Sequence, residues 1–110
     1  MKLTREEQIW LEAYRKELGE RYAGAVVRML IYGSKAREEE RPDSDLDVLL
    51  IVKDTASGLK RKLRRTGYLL AATSEVLPSI LAYTEEEWER RDKSGSVFRQ
   101  AVERDAVQVL

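Results

Sequence analysis

Two short apolar segments constrain the fold more than any other feature of this sequence. Val26–Tyr32 and Leu46–Val52 are rich in aliphatic residues, many of them β-branched, and each has the length of a buried strand. Neither approaches the ~20 apolar residues that a membrane-spanning helix needs. Gly33 directly follows the first segment and a turn-forming stretch at 54–58 follows the second, so both segments are predicted to be buried strands.

Helical spacing of apolar residues predicts four helices around these strands. They cover residues 4–18, 59–72, 84–91 and 97–104. Two of them begin with the pattern of a capping box, in which a threonine precedes a glutamate by three positions: Thr4 with Glu7, and Thr84 with Glu87. In this motif both side chains bond to backbone N–H groups, so each pattern predicts where a helix begins.

Two weaker extended segments complete the predicted sheet. Glu75–Tyr83 contains Pro78, and a proline in a strand indicates an edge strand or a bulge. Val107–Leu110 predicts a last short strand, whose exposed edge would suit pairing with a second copy in a homo-oligomer. The element order α-β-β-α-β-α-α-β predicts a single domain over residues 1–110 of the α/β (α+β) class, with a small mixed β-sheet and packed helices.

The residue types that are absent limit the possible chemistry. The chain has no cysteine and no histidine, which excludes disulfides, thiol nucleophiles and imidazole ligands. Oxygen ligands remain, and these favour Mg²⁺ or Mn²⁺. Lys and Arg number 20, as do Asp and Glu, so no net charge draws the chain to nucleic acid or membrane. The N-terminus lacks an apolar signal segment, and a cytoplasmic protein is expected.

Asp45 and Asp47 are candidate functional residues because they open a strand that is otherwise apolar. Side chains alternate along a strand, so the two carboxylates share one face while Leu46 and Val48 point to the other. Two like charges this close repel one another unless a cation or a proton lies between them. The pair therefore indicates a divalent metal site; the alternative is a solvated pair of strand-end aspartates.

Gly33 and Ser34 form a second candidate element, a turn at the end of a buried strand. Glycine allows a sharp turn and a close approach of backbone to ligand. If Ser34–Arg37 forms one helical turn, the Ser34 hydroxyl and free N–H groups could bind an anion. The Arg37 guanidinium could then add a forked contact to phosphate. The alternative is an ordinary strand-to-helix turn capped by serine.

In combination these residues resemble the signature of the polymerase-beta-like nucleotidyltransferase superfamily, which here consists of Gly33-Ser34, ten intervening residues and Asp45-x-Asp47 on an apolar strand. The compact length is similar to that of the minimal nucleotidyltransferases of bacteria and archaea. The resemblance implies the nucleotidyltransferase fold over nearly the whole chain. Two residues depart from the pattern: Glu38 stands where relatives often have glycine, and Lys35 where arginine is frequent.

The resemblance also implies a role for each candidate residue. Asp45, Asp47 and Glu75 would be catalytic and metal-binding, and Gly33, Ser34 and Arg37 would hold phosphate. Glu75 is the candidate for a third carboxylate from the neighbouring strand, although the family residue is commonly aspartate. The implied cofactor is Mg²⁺ (or Mn²⁺), and the implied substrate is ATP or another NTP.

Similar minimal nucleotidyltransferases (the MNT type) are the antitoxin half of toxin–antitoxin pairs whose partner is a helical HEPN-type ribonuclease. By this resemblance the acceptor is a hydroxyl on the partner protein, expected to be a tyrosine that receives AMP. RNA would be contacted only through the partner, and no membrane contact is expected. The alternative is a catalytically idle binding module that neutralises its partner by contact.

Overall fold

The two apolar segments form the paired central strands of a four-stranded sheet. The computed structural model describes residues 1–37 and 45–110. Within these ranges the strands are β1 (Val26–Tyr32), β2 (Leu46–Val52), β3 (Pro78–Thr84) and β4 (Val107–Gln108). The helices are α1 (Arg5–Arg21), α2 (Lys60–Ala71), α3 (Glu85–Lys93) and α4 (Val97–Asp105), with a short 3₁₀ helix at Asp54–Leu59.

The sheet is mixed, with the strand order β3-β2-β1-β4. β1 is antiparallel to both β2 and β4, whereas β2 and β3 are parallel. The parallel pair is possible because α2 carries the chain from the end of β2 back to the start of β3. The predicted fold class and element order are confirmed, and β3 lies at a sheet edge, as its proline indicates.

Both faces of the sheet are covered by helices. One core cluster packs β2 against α1 and α2 and includes Trp10, Tyr14, Leu18, Leu46, Val48, Leu50, Val52 and Leu63. The second cluster lies between the opposite face and α3 and α4, and includes Leu30, Leu49, Ile51, Trp88 and Val102. Hydrogen bonds across the helix pair support the first cluster, since Trp10 Nε1 donates to the Gly67 carbonyl (2.9 Å) and the Tyr14 hydroxyl to the Leu63 carbonyl (2.7 Å).

The start of β3 is the clearest difference from the prediction. Glu75 does not belong to the strand, which begins at Pro78. Ser74 Oγ donates to the Ala71 carbonyl (2.8 Å) and accepts from the Val76 amide (3.0 Å). These bonds hold the chain in a turn after α2, and Pro78, which lacks an N–H group, suits the first strand position.

Both predicted capping boxes are present. Thr4 and Glu7 make the reciprocal bonds at the start of α1, and Thr84 and Glu87 make them at the start of α3. Over the ranges 1–37 and 45–110, no helix has the length and apolar character that crossing a membrane would require.

Candidate active site

The two aspartates stand at the start of β2, one outside the strand and one within it. Asp45 is exposed, and Asp47 is half-buried as the second residue of the strand. Asp47 pairs with Tyr32 of β1 on one side and with Ser79 of β3 on the other. Paired residues of neighbouring strands share a face, so a phenol, a carboxylate and a hydroxyl form one row across the sheet.

The surroundings of Asp47 favour the neutral form of its carboxyl group. Partial burial, followed by the negative charge of Asp45, raises the pKa of Asp47 above its usual range. The positive charge of Arg37 acts in the opposite direction and is the smaller influence. A cation placed between the two carboxylates would remove their repulsion, so the pair is suited to binding one.

Gly33 brings backbone against the Asp47 carboxylate. Its φ of 76° lies in the left-handed region, which favours glycine. A Cβ atom at this position would overlap Asp47 Oδ2 and would lie 3.3 Å from Asp47 Cγ. The Arg37 amide donates to the Gly33 carbonyl (3.3 Å), as the predicted single helical turn over Ser34–Arg37 requires. Gly33 and Asp47, predicted to belong to one site, are therefore in direct contact.

Ser34 and Arg37 lie on this turn, half-buried and exposed respectively. Lys35, between them, is turned into the protein. Its ammonium group lies 3.4 Å from Glu7 Oε1, with only 1% of the lysine side chain and 7% of the glutamate side chain exposed. Lys35 thus directs its charge towards α1, away from solvent, an orientation that sequence reasoning did not provide.

Tyr32 is a neighbour of the carboxylates that sequence reasoning missed. Burial is the main cause that raises its pKa to about 12, and the charge of Asp47 adds to it. The phenol is therefore neutral near pH 7 and can donate a hydrogen bond. Its ring meets Phe98 of α4 edge-on, with centroids 5.5 Å apart. Only the strand register reveals that Tyr32 faces Asp47.

Glu75 is not brought into a common cluster with the aspartate pair. It is exposed in the turn before β3, and the residue of β3 that pairs with Asp47 is Ser79. In the part of the chain that the structure describes, no group of three or more Asp, Glu, His or Cys side chains is placed to hold a metal ion. The metal-binding role of Glu75 stays a prediction, and Glu38 lies outside the described residues.

Comparison with known proteins gives a family match that spans the whole candidate site. The sequence model of the family described as "Nucleotidyltransferase domain" matches residues 11–104. A solved structure of a protein from Sulfolobus solfataricus, provisionally described as a nucleotidyltransferase, is similar at 20% identity and a TM-score of 0.48, covering 97% of this chain and 87% of that one. No curated protein matches the chain.

Proposed function

Because this chain belongs to the nucleotidyltransferase domain family, we propose that it transfers a nucleoside monophosphate from an NTP to an acceptor hydroxyl, with Mg²⁺ bound at Asp45 and Asp47. The observation that carries the proposal is the contact between Gly33 and Asp47, next to a second carboxylate. A pair of strand-end aspartates that served only to meet solvent would not need backbone packed against one of them.

The residues fit a hard divalent cation. Mg²⁺ is commonly bound through one or two protein carboxylates and the phosphates of the substrate, and it retains several waters. Asp45 and Asp47 supply two such carboxylates, and a cation between them would offset the repulsion by which Asp45 raises the pKa of Asp47. Bound there, Mg²⁺ would polarise the phosphates and stabilise the charge that develops during transfer.

The chain's own residues would bind and orient the reactants. The acceptor oxygen forms a bond to the α-phosphorus while the bond from that phosphorus to the oxygen bridging towards the β-phosphate breaks. Pyrophosphate leaves with the electron pair, and the hydroxyl proton passes to water. In this proposal Gly33 and Ser34 hold the triphosphate, Arg37 assists at its charged oxygens, and the neutral phenol of Tyr32 donates a hydrogen bond at the edge of the site.

The proposed acceptor is a tyrosine hydroxyl on a HEPN-type partner protein, which would be silenced by AMP taken from ATP. This step rests on the resemblance to antitoxins of the minimal nucleotidyltransferase type. The second candidate function is an idle nucleotidyltransferase fold that neutralises the partner by contact. It is favoured by one observation, that within residues 1–37 and 45–110 no third carboxylate joins Asp45 and Asp47.

The test follows label from ATP that carries ³²P at the α-phosphate, mixed with Mg²⁺, the protein and the product of the neighbouring gene. Label on the partner would establish transfer, provided that the Asp45→Asn/Asp47→Asn variant gives none. Asp92→Asn, an exposed change of the same kind on α3, is the matched control and should transfer like the parent. Tight partner binding without label from any of the four NTPs would favour the idle binding module.

A further inference from the structure

The buried ion pair between Lys35 and Glu7 is assigned no step in the proposed transfer, although Lys35 directly follows Ser34. Its charged atoms lie 3.4 Å apart and are almost wholly shielded from solvent. Desolvating two charges is costly, and apolar residues of similar volume often replace such a pair without loss of stability. Stability alone is therefore a weak explanation for the pair, and what it holds in place is the better one.

The pair connects the start of α1 to the turn that carries Gly33 and Ser34. Glu7 Oε1 also accepts a hydrogen bond from the Thr4 amide (2.9 Å), so one carboxylate serves both the helix cap and Lys35. A backbone contact lies beside it, in which the Lys2 amide donates to the Lys35 carbonyl (3.3 Å). The N-terminal segment thus contacts the turn through the Glu7 side chain and through the Lys2 main chain.

The other end of the turn is limited by the carboxylate. Gly33 is packed against the Asp47 carboxylate, a contact that opposes movement of the turn towards β2. The attraction between Lys35 and Glu7 opposes movement of the turn away from α1, because separating the pair would leave two charges buried without a counter-charge. The turn is therefore held between two contacts on different elements.

We propose that Glu7 and Lys35 are positioning residues that fix the 33–37 turn relative to Asp47 and thereby set the affinity for the NTP. The choice of ligand rests on the proposed function, whereas the fixing of the turn does not. A displacement of about 1 Å in a site of this kind can cost about 100-fold. The same capping glutamate would then support both the fold of α1 and the geometry of the site.

The experiment measures two quantities in each variant: the Kd for ATP with Mg²⁺, and hydrogen exchange at the Arg37 amide, which bonds to the Gly33 carbonyl. Lys35→Met removes one charge, and Glu7→Gln removes the other while its amide oxygen can still accept from Thr4. Each is expected to raise the Kd about tenfold or more and to speed exchange at Arg37. The double variant leaves no lone buried charge, so its Tm should recover while its Kd stays raised.

Thr4→Ala is the control that separates stability from positioning. It removes the hydroxyl that caps α1 but leaves the ion pair, so it should lower Tm without changing the Kd or the Arg37 exchange. Glu6→Gln, an exposed change on the same helix, should alter nothing. Wild-type Kd and exchange in Lys35→Met, or an equal effect of Thr4→Ala, would overturn the proposal. Faster exchange in a protein that binds no NTP would support the positioning role and contradict the proposed function instead.

Discussion

The two faces of β2 differ in burial and in charge although they belong to one strand. On the face towards α1 and α2, four residues are completely buried: Leu46, Val48, Leu50 and Val52. On the other face, Leu49 and Ile51 are buried under α3 and α4, but Asp47 at the start is only half-buried. One face is an uninterrupted core, and the other changes from a charged site to a core along its length.

This difference shows how a small chain can place a charged residue on a strand whose other face is core. Alternation of side chains lets the strand place a carboxylate on one face while its neighbours Leu46 and Val48 anchor the same backbone in the core on the other. The raised pKa of Asp47 means that its charged form is disfavoured where it stands. The core on the opposite face provides the stability that tolerates this, so the two faces should respond to substitution in opposite ways.

The largest effect on stability is expected from a substitution on the face of β2 that packs against α1 and α2. Leu50→Ala should lower the free energy of unfolding by about 2–5 kcal/mol, because Leu50 is 0% exposed and its loss leaves a cavity. The Kd for Mn²⁺ should not change at temperatures where the variant is folded. Denaturant unfolding and metal titration measure the two quantities. Leu69→Ala, at a site 60% exposed, is the control and should change stability by less than about 0.5 kcal/mol.

On the face of β2 that carries Asp47, a substitution is expected to weaken metal binding without lowering stability. Asp47→Asn should weaken Mn²⁺ binding about 100-fold, since losing a ligand should cost at least as much as losing a residue that orients one. Its free energy of unfolding should not fall, because the substitution removes a charge that burial and Asp45 disfavour. Metal titration and denaturant unfolding again separate the outcomes. If Asp47→Asn unfolded more easily than the parent, Asp47 would be a structural residue and the contrast between the faces would fail.

Gly33→Ala tests the contact between turn and carboxylate, with Gly95→Ala as a matched control. Both glycines have positive φ values, 76° and 73°, so both substitutions should cost about 1–2 kcal/mol of backbone strain. Only at Gly33 does the added Cβ meet Asp47; at Gly95 it meets nothing within 4 Å. Mn²⁺ affinity should therefore fall in Gly33→Ala alone. Equal Mn²⁺ affinities in the two variants would show that the Asp47 carboxylate can move away from the added Cβ without any loss of metal binding.

The smallest effect is a difference in pH dependence. In the metal-free protein, ionised Asp47 opposes folding because its pKa is raised, and this penalty is relieved as pH falls through that raised pKa towards the ordinary carboxylate value. The stability that Asp47→Asn gains at neutral pH should therefore shrink in acid. The ionised Glu87 carboxylate has the opposite effect and favours folding, since the hydrogen bond from Lys60 lowers the pKa of Glu87. Its contribution should be present above the ordinary value and lost as pH falls through the lowered pKa. Unfolding curves of Asp47→Asn and Glu87→Gln that ran parallel across this range would contradict both assignments.

The sequence predicted the central strands better than the edge strand, for a physical reason. The bounds of β1 and β2 are confirmed as predicted, because a buried strand needs a continuous apolar run and polar residues or glycine end it. The start of β3 was wrong by three residues, since the bonds of Ser74 prolong the turn. Near that start, the Ile80 amide donates a hydrogen bond to the hydroxyl of Tyr68 on α2, a contact between residues 12 positions apart.

Within the site, the sequence indicated which residues carry chemistry but not what surrounds them. The pattern identified Asp45, Asp47 and Gly33, and the structure places Gly33 and Asp47 in contact. It did not identify Tyr32 or Ser79 as neighbours of Asp47, because that depends on the register of two strand pairs. The role of Glu75 was implied by the resemblance together with its position at the start of the predicted third strand, and the structure places Glu75 outside the strand that pairs with β2.

The sequence by itself determined the alternation of charged and apolar residues at the start of β2, the glycine that ends β1, and the two capping boxes. Each of these depends on residues that are close together along the chain. Tertiary structure alone decided which side chains oppose Asp47 and where the charge of Lys35 is directed. Lys35 lies 28 positions from Glu7 along the chain, and no local preference brings the two together. Packing α1 against the sheet does so, and once both are buried, each charge needs the other.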